Sequence, residues 1–153
     1  MKLVEILSPQ MVMSELEATD KEGAIRQMCA HIAEHKRGLK VEDMVRTLLE
    51  REKLGSTGIG EGVAIPHGKL NGIDNLVACF AKSTPGIDFA AIDSQPSHLF
   101  FVLLAPNNSA GLHLKALARI SRLLKSQEFR DRLLRADDAT SIFRIISEED
   151  ARC

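Results

Sequence analysis

The chain has 153 residues, 44% hydrophobic and 27% charged, enough for one domain with a real core and too apolar for a disordered chain. A formal net charge of −1 and a pI near 6.5 argue against a nucleic-acid binder, which carries a basic footprint. The longest apolar runs fall short of a membrane span, and Tyr and Trp are absent, which removes base or sugar stacking on those rings.

The opening Met1-Lys2-Leu3-Val4-Glu5 lacks the apolar segment of a secretory signal. Cys29, Cys79 and Cys153 are odd in number and share no metal spacing, so a reduced, cytoplasmic setting is expected. Leu3, Ile6 and Leu7 predict a helical turn stopped near Pro9, and Val12 to Leu16 a strand. Thr19-Asp20-Lys21-Glu22 reads as a capping box with Thr19 as N-cap. A helix over 20–37 follows, with Ile25, Met28, Cys29 and Ile32 inward and Gly38 as its terminating glycine. A second helix is predicted over 41–53, burying Met44, Val45, Leu48 and Leu49 and ended by Gly55.

Residues 54–72 hold six of the ten glycines: Gly55, Gly58, Gly60, Gly62, Gly68 and Gly72. Such density between regular elements predicts a shaped loop whose backbone other groups approach closely. Val63, Ala64 and Ile65 read as a short strand delivering His67, which sits between φ-locked Pro66 and Gly68. Two phosphate motifs fail by counting. Gly68-Lys69 has Val63 where a P-loop needs glycine and Leu70 where it needs Ser or Thr, and Gly58 and Gly60 lack a glycine at position 63.

Beyond the loop, Leu76 to Ala81 predicts a strand, Thr84-Pro85-Gly86 a turn, and Phe89 to Ile92 a short or edge strand. His98 to Ala105 is nearly all apolar, which predicts a strand covered on both faces. Pro106 to Ser109 is a loop with capping residues. A helix over 111–125 is expected to bury Leu114, Leu117, Ala118, Ser121 and Leu124, and two more are expected over 128–135 and 139–147. The expected architecture is α/β: a single-domain sandwich over residues 3–147, with a central mixed β-sheet flanked by α-helices on both faces and 148–153 as a short C-terminal tail.

His67 is the leading chemical candidate, since a histidine near neutrality keeps a free lone pair. Nucleophilic use requires an acceptor on the other ring nitrogen and donors for the incoming group. Arg51 and Lys69 are the nearby cations, and Ser56 and Thr57 add hydroxyls. Arg51 has the alternative of an ordinary surface pairing with Glu50 or Glu52. His113 lies in the first turn of the helix after the apolar strand, where free N–H groups favour an anion. Whether His67 and His113 meet over one anion site is left open by the sequence. His31 and His35 are spaced i, i+4 on the polar side of the first helix, but no matching Cys, Asp or third His is spaced to complete a metal site. No metal and no cofactor is therefore expected. Leu54, Ile59 and Leu70 flank the loop and are either a docking patch for a partner protein or core residues folded inward.

The stretch from Leu48 to Gly68, with Ile87-Asp88-Phe89, Leu103-Leu104-Ala105-Pro106 and His113 to Ala118, closely resembles enzyme IIA of the fructose/mannitol type. These are phosphohistidine domains of the phosphoenolpyruvate-dependent sugar phosphotransferase system, and the likeness runs from about residue 3 to 147. It implies that His67 is phosphorylated, that His113 is the second active-site histidine and that Arg51 contacts the phosphate region. By the same resemblance Ser56 and Thr57 are polar residues near the site, with Gly68 and Lys69 as further support. Within the family, Ile6-Leu7-Ser8-Pro9 and the run Leu112–Ala136 look most like the nitrogen-regulatory form. That form receives phosphate from an HPr-like or nitrogen-type phosphocarrier and binds regulatory targets according to its phosphorylation state. The alternatives are a sugar-specific member passing phosphate to a IIB domain, a binding module without phosphoryl transfer, and a histidine-based hydrolase, for which no nucleophile motif is present.

Overall fold

A computed structural model describes the backbone of residues 1–153 and every side chain but that of Ala110. Six strands form one mixed sheet: β1 (Val12–Met13), β2 (Gly58–Gly60), β3 (Val63–Ala64), β4 (His67–Lys69), β5 (Val77–Ile87) and β6 (Ser97–Ala105). Five helices accompany them: α1 (Lys21–His35), α2 (Val41–Lys53), α3 (Ala110–Leu124), α4 (Gln127–Arg135) and α5 (Ala139–Arg152). Two 3₁₀ turns, Leu3–Glu5 and Pro9–Met11, precede β1. Pro9 opens the second of these rather than stopping a helix, because its missing N–H costs nothing at a first helical position.

The strand order is β1-β5-β6-β3-β2, with β4 also on β6. β5 and β6 are antiparallel; β1 runs parallel to β5, and β3 and β4 run parallel to β6. The sheet is mixed, as expected. Register shows how both faces are covered. Cys79, Ala81 and Phe100 share one face, where Phe100 stacks on Phe89 with centroids 5.4 Å apart and Lys21 of α1 sits 4.9 Å over the Phe89 ring. Phe80, Lys82, Leu99 and Phe101 share the other, where Lys82 donates to the carbonyls of Leu134 and Ala136 at the end of α4. A carbonyl-rich helix C-terminus suits an ammonium, which explains a lysine only 5% exposed. Full burial of rings such as Phe80 and Phe100 contributes about 2–3 kcal/mol each.

Several expectations are corrected. Asp20, not Thr19, caps α1, its carboxylate accepting from the Gly23 N–H at 2.7 Å. Gly38 takes φ +88° in the turn beyond a helix that already ends at His35. Only Val12 and Met13 form a regular strand, although Leu16 N–H still bonds the Lys82 carbonyl at 2.7 Å. Thr84-Pro85-Gly86 is not a turn between strands but an irregular stretch inside β5, which advances five residues where β6 advances two. Glu15 holds that stretch through the Thr84 N–H and hydroxyl. Gly86 is required there: it has φ +87°, and a Cβ would come within 2.7 Å of the His98 ring. Phe89 to Ile92 forms no strand, since Ala90 turns to φ +52° while Phe89 stays buried. In α2 the expected inward face holds, with Leu49 only half-buried.

The buried stripe of α3 is also rotated from the expected one. Leu114 is 66% exposed and Ala118 is exposed too, whereas His113, Ala116, Ile120 and Leu123 face inward; of the expected set Leu124 is buried and Leu117 and Ser121 are half-buried. Residues 148–152, expected as a tail, continue α5. Asp150 is 1% exposed, and its carboxylate accepts from Arg119 Nε at 2.8 Å and the Val4 N–H at 3.1 Å. The Asp150 carbonyl accepts from Arg119 Nη2 and Lys2 Nζ. One buried ion pair thus ties the first turn of the chain and the last turn of α5 to α3.

Candidate active site

β6 organises the site. Residues 63–69 run alongside it, and Pro66, which has no N–H to give the ladder, splits that line into β3 and β4. The Pro66 carbonyl still accepts from the Leu103 N–H at 2.9 Å. His67 lies opposite Leu103, so its side chain takes the sheet face of Phe101 and Leu99, toward α3. Gly68, on the opposite face, meets α2. A Cβ there would lie 2.7 Å from Thr47 Cγ2, so only glycine lets α2 approach the strand this closely.

His67 therefore lies within its own short strand rather than in a loop, and it is half-buried. Its Nδ1 is 2.7 Å from the Ile65 carbonyl. A carbonyl only accepts, so Nδ1 carries the proton and Nε2 holds the lone pair. The ring of His113 stands edge-on to it, with centroids 5.6 Å apart and planes at 70°. The question left open by the sequence is answered: the two histidines meet. His113 is 8% exposed, and its Nε2 has no hydrogen-bond partner among the described residues. A buried polar atom of this kind calls for a hydrogen-bond partner.

Both rings titrate below the usual 6.5. Desolvation is the main cause for each; the Arg51 charge adds for His67, and His67 and Lys69 add for His113. The Ile65 bond and Glu52 act in the opposite direction on His67. Neutral imidazole is thus the resting form at His67.

The two rings open on a cleft of about 380 Å³ lined by Thr47, Glu50, Arg51, Leu54, His67, Gly68, Lys69 and His113. Arg51 sits in the last turn of α2, where Nη1 donates to the Gly55 carbonyl at 2.9 Å and not to Glu50 or Glu52. With Lys69 it gives the cleft two cations against the one carboxylate of Glu50, a balance suited to a phosphoryl group. Leu54 is 85% exposed at the rim.

Other candidates fall elsewhere. Leu70 is buried at 6% exposure and takes the inward reading, its N–H held by the Ala105 carbonyl. Ile59 is exposed but lines a different hollow, with Val63, Leu124 and Arg130. Ser56 and Thr57 do not line the cleft. The Ser56 hydroxyl donates to the Phe89 carbonyl and accepts from the Gly58 N–H, which shapes the glycine loop.

Thr57 is buried and gives both its N–H and its hydroxyl to Glu52. Sequence reading missed Glu52 as anything but a surface charge. It is buried, and Lys21 Nζ reaches it at 2.6 Å. This carboxylate joins the start of α1, the end of α2 and the loop that leads to His67. The available signal was its position one residue after Arg51, on the inward side of α2 four residues beyond Leu48. Thr47 and Glu50 were also missed. Thr47 stands one helical turn before Arg51, so that spacing was the signal.

Residues 5–149 match the family described as "Phosphoenolpyruvate-dependent sugar phosphotransferase system, EIIA 2". The chain is 39% identical over 147 residues to a nitrogen regulatory protein of Bradyrhizobium diazoefficiens, covering 96% of this chain and 95% of that one. It is 35% identical over 150 residues to a fructose-specific EIIABC component of Bacillus subtilis, covering 98% of this chain and 24% of that protein. The crystal structure of nitrogen regulatory protein IIA-Ntr from Neisseria meningitidis superposes with a TM-score of 0.87 at 31% identity, over 94% of this chain and 98% of that one. The chain belongs to the EIIA 2 family of the phosphoenolpyruvate-dependent sugar phosphotransferase system, a family of phosphoryl-transfer components, and it resembles nitrogen regulatory members.

Proposed function

We propose that this protein is a phosphohistidine carrier and regulator that accepts a phosphoryl group on His67 Nε2 from an HPr-like or nitrogen-type phosphocarrier. The observation that carries this reading is the commitment of His67 Nδ1 to the Ile65 carbonyl, which leaves Nε2 as a neutral nucleophile facing the cationic cleft.

The neutral lone pair of Nε2 attacks phosphorus in line. The new N–P bond forms as the N–P bond of the donor's phosphohistidine breaks, and the electron pair returns to the donor imidazole. The positive charge that develops on the His67 ring is stabilised through Nδ1–H by the Ile65 carbonyl. Phosphoryl transfer is mainly positioning and charge stabilisation. Arg51 and Lys69 supply that charge. His113, with a free buried Nε2, supplies a further contact to the group. Leu54, exposed at the rim, is the apolar docking contact for the donor protein. The setting is cytoplasmic, where such carriers operate.

The regulatory reading draws support from the nitrogen regulatory relatives, one of them matched along nearly its whole length. A second reading, transfer onward to a IIB domain in sugar uptake, draws on the fructose-specific relative at 35% identity. The test is intact mass after incubation with phosphoenolpyruvate, enzyme I and a sugar-type or nitrogen-type carrier. One acid-labile phosphate is expected, absent in His67→Ala and formed about a hundredfold more slowly in His113→Ala. Full labelling of His67→Ala would move the phosphate to another residue. No labelling with either carrier would leave a binding module. Onward transfer to a purified IIB domain separates the two downstream readings.

A further inference from the structure

The last turns of α1 carry a second histidine pair that the phosphoryl site does not use. His31 and His35 lie one turn apart, with ring centroids 4.6 Å apart and planes tilted by 44°. His31 Nε2 donates to the Gln10 carbonyl at 2.8 Å, and His35 Nδ1 donates to the His31 carbonyl at 3.0 Å. Since a carbonyl only accepts, both tautomers are set: Nδ1 of His31 and Nε2 of His35 keep their lone pairs.

Glu34 supplies the third group that counting only Cys, Asp and His along the sequence did not provide. His31, Glu34 and His35 each offer one ligand atom, and these atoms all lie within 4.8 Å of one another. We propose that these three side chains form a surface site for a divalent transition-metal ion, with Zn²⁺ as the representative ion. Positions i, i+3 and i+4 share one helix face, so no other element has to move.

The ligand chemistry selects the ion class. Two imidazole nitrogens with one carboxylate suit Zn²⁺, Cu²⁺ or Ni²⁺, whereas Mg²⁺ and Ca²⁺ need an oxygen cage. Backbone acceptors on the second ring nitrogen are the outer support that metal-bound imidazoles commonly have. His31 is half-buried, and Glu34 and His35 are exposed, which leaves the remaining coordination positions to water or an outside donor. The ion would cross-link the last turn of α1 and, through His31, hold the Gln10 turn against it. Binding only the folded helix, it raises the melting temperature by mass action.

The test is calorimetric titration of ZnCl₂ into the full chain in a Cys153→Ser background, which removes the exposed thiol. One Zn²⁺ per chain is expected, with a rise in melting temperature. Glu34→Gln and His35→Gln, both at exposed positions that leave folding intact, should each weaken binding by at least about tenfold, the lower bound for loss of even an outer-shell partner. The His67→Gln/His113→Gln double variant should bind as well as the parent. Zn²⁺ should shift the ring signals of His31 and His35 but not that of His98. The proposal is overturned if the parent shows no saturable binding. It is equally overturned if binding survives His35→Gln or is lost in the His67→Gln/His113→Gln variant.

Discussion

His67 and His113 stand edge to face with ring centroids 5.6 Å apart, the first with Nδ1 tied to a backbone carbonyl and the second with Nε2 buried and unpartnered among the described residues. Burial is the main reason that both titrate below 6.5; the Arg51 charge adds to it at His67, and the charges of His67 and Lys69 add to it at His113. The pair therefore presents a neutral acceptor at physiological pH.

This geometry sets the pH dependence of stability. In the unfolded chain both histidines take up protons near 6.5, whereas in the native protein they resist until lower pH. The unfolded state binds more protons in that window, so native stability falls as pH drops below the unfolded value and is fully present above it. Urea midpoints measured between about pH 5.5 and about pH 7.5 should rise with pH. His113→Asn should flatten part of the slope. The rate of phosphoryl acceptance should likewise stay level through neutrality and fall only in acid; an equally steep profile in His113→Asn would separate the slope from this residue.

Gly68 and Thr47 give a second test. A Cβ at position 68 would lie 2.7 Å from Thr47 Cγ2, so Gly68→Ala should cost about 1–3 kcal/mol through overpacking. Thr47→Ser removes the methyl and should restore most of the loss. A double-mutant cycle by chemical denaturation measures this, and additive effects would show that the two do not press on each other.

Glu52 is expected to hold the glycine loop. Glu52→Leu leaves Thr57 without its acceptor and Lys21 without its 2.6 Å partner, which should cost about 2–4 kcal/mol. Hydrogen exchange should speed up in the segment from Gly55 to Gly62 before it does in β6. Uniform change across the sheet would mean that Glu52 supports the whole fold and not this loop.

The Arg119–Asp150 pair ties the last turn of α5 to α3. Truncation after Ser147 strands a guanidinium that is 7% exposed, at a cost of about 3–5 kcal/mol. Arg119→Met in the truncated chain should recover part of it, because no charge is then left unpaired. Thermal melts of the three proteins test this; a truncation that melts like the full chain would place the domain edge at residue 147.

By itself, the sequence determined the elements whose cause is local. Helical spacing of apolar positions marked α2, an unbroken apolar run marked β6, the glycine density marked the loop, and Pro66-His67-Gly68 marked the candidate nucleophile. Where a chain interaction reaches only a few residues, residue types and spacing are sufficient. Only the tertiary structure decided the rest. Whether Leu54 or Leu70 faces solvent depends on whether β6 offers Leu70 a partner, and it does, through Ala105. The rotated stripe of α3 follows from placing His113 against His67. The bulge at Thr84-Pro85-Gly86, the burial of Glu52 and the anchoring of Asp150 rest on the pairs Glu15–Thr84, Lys21–Glu52 and Val4–Asp150, all far apart in the chain. No local pattern encodes such pairs, because each acid looks like an ordinary surface charge until the fold brings its partner to it.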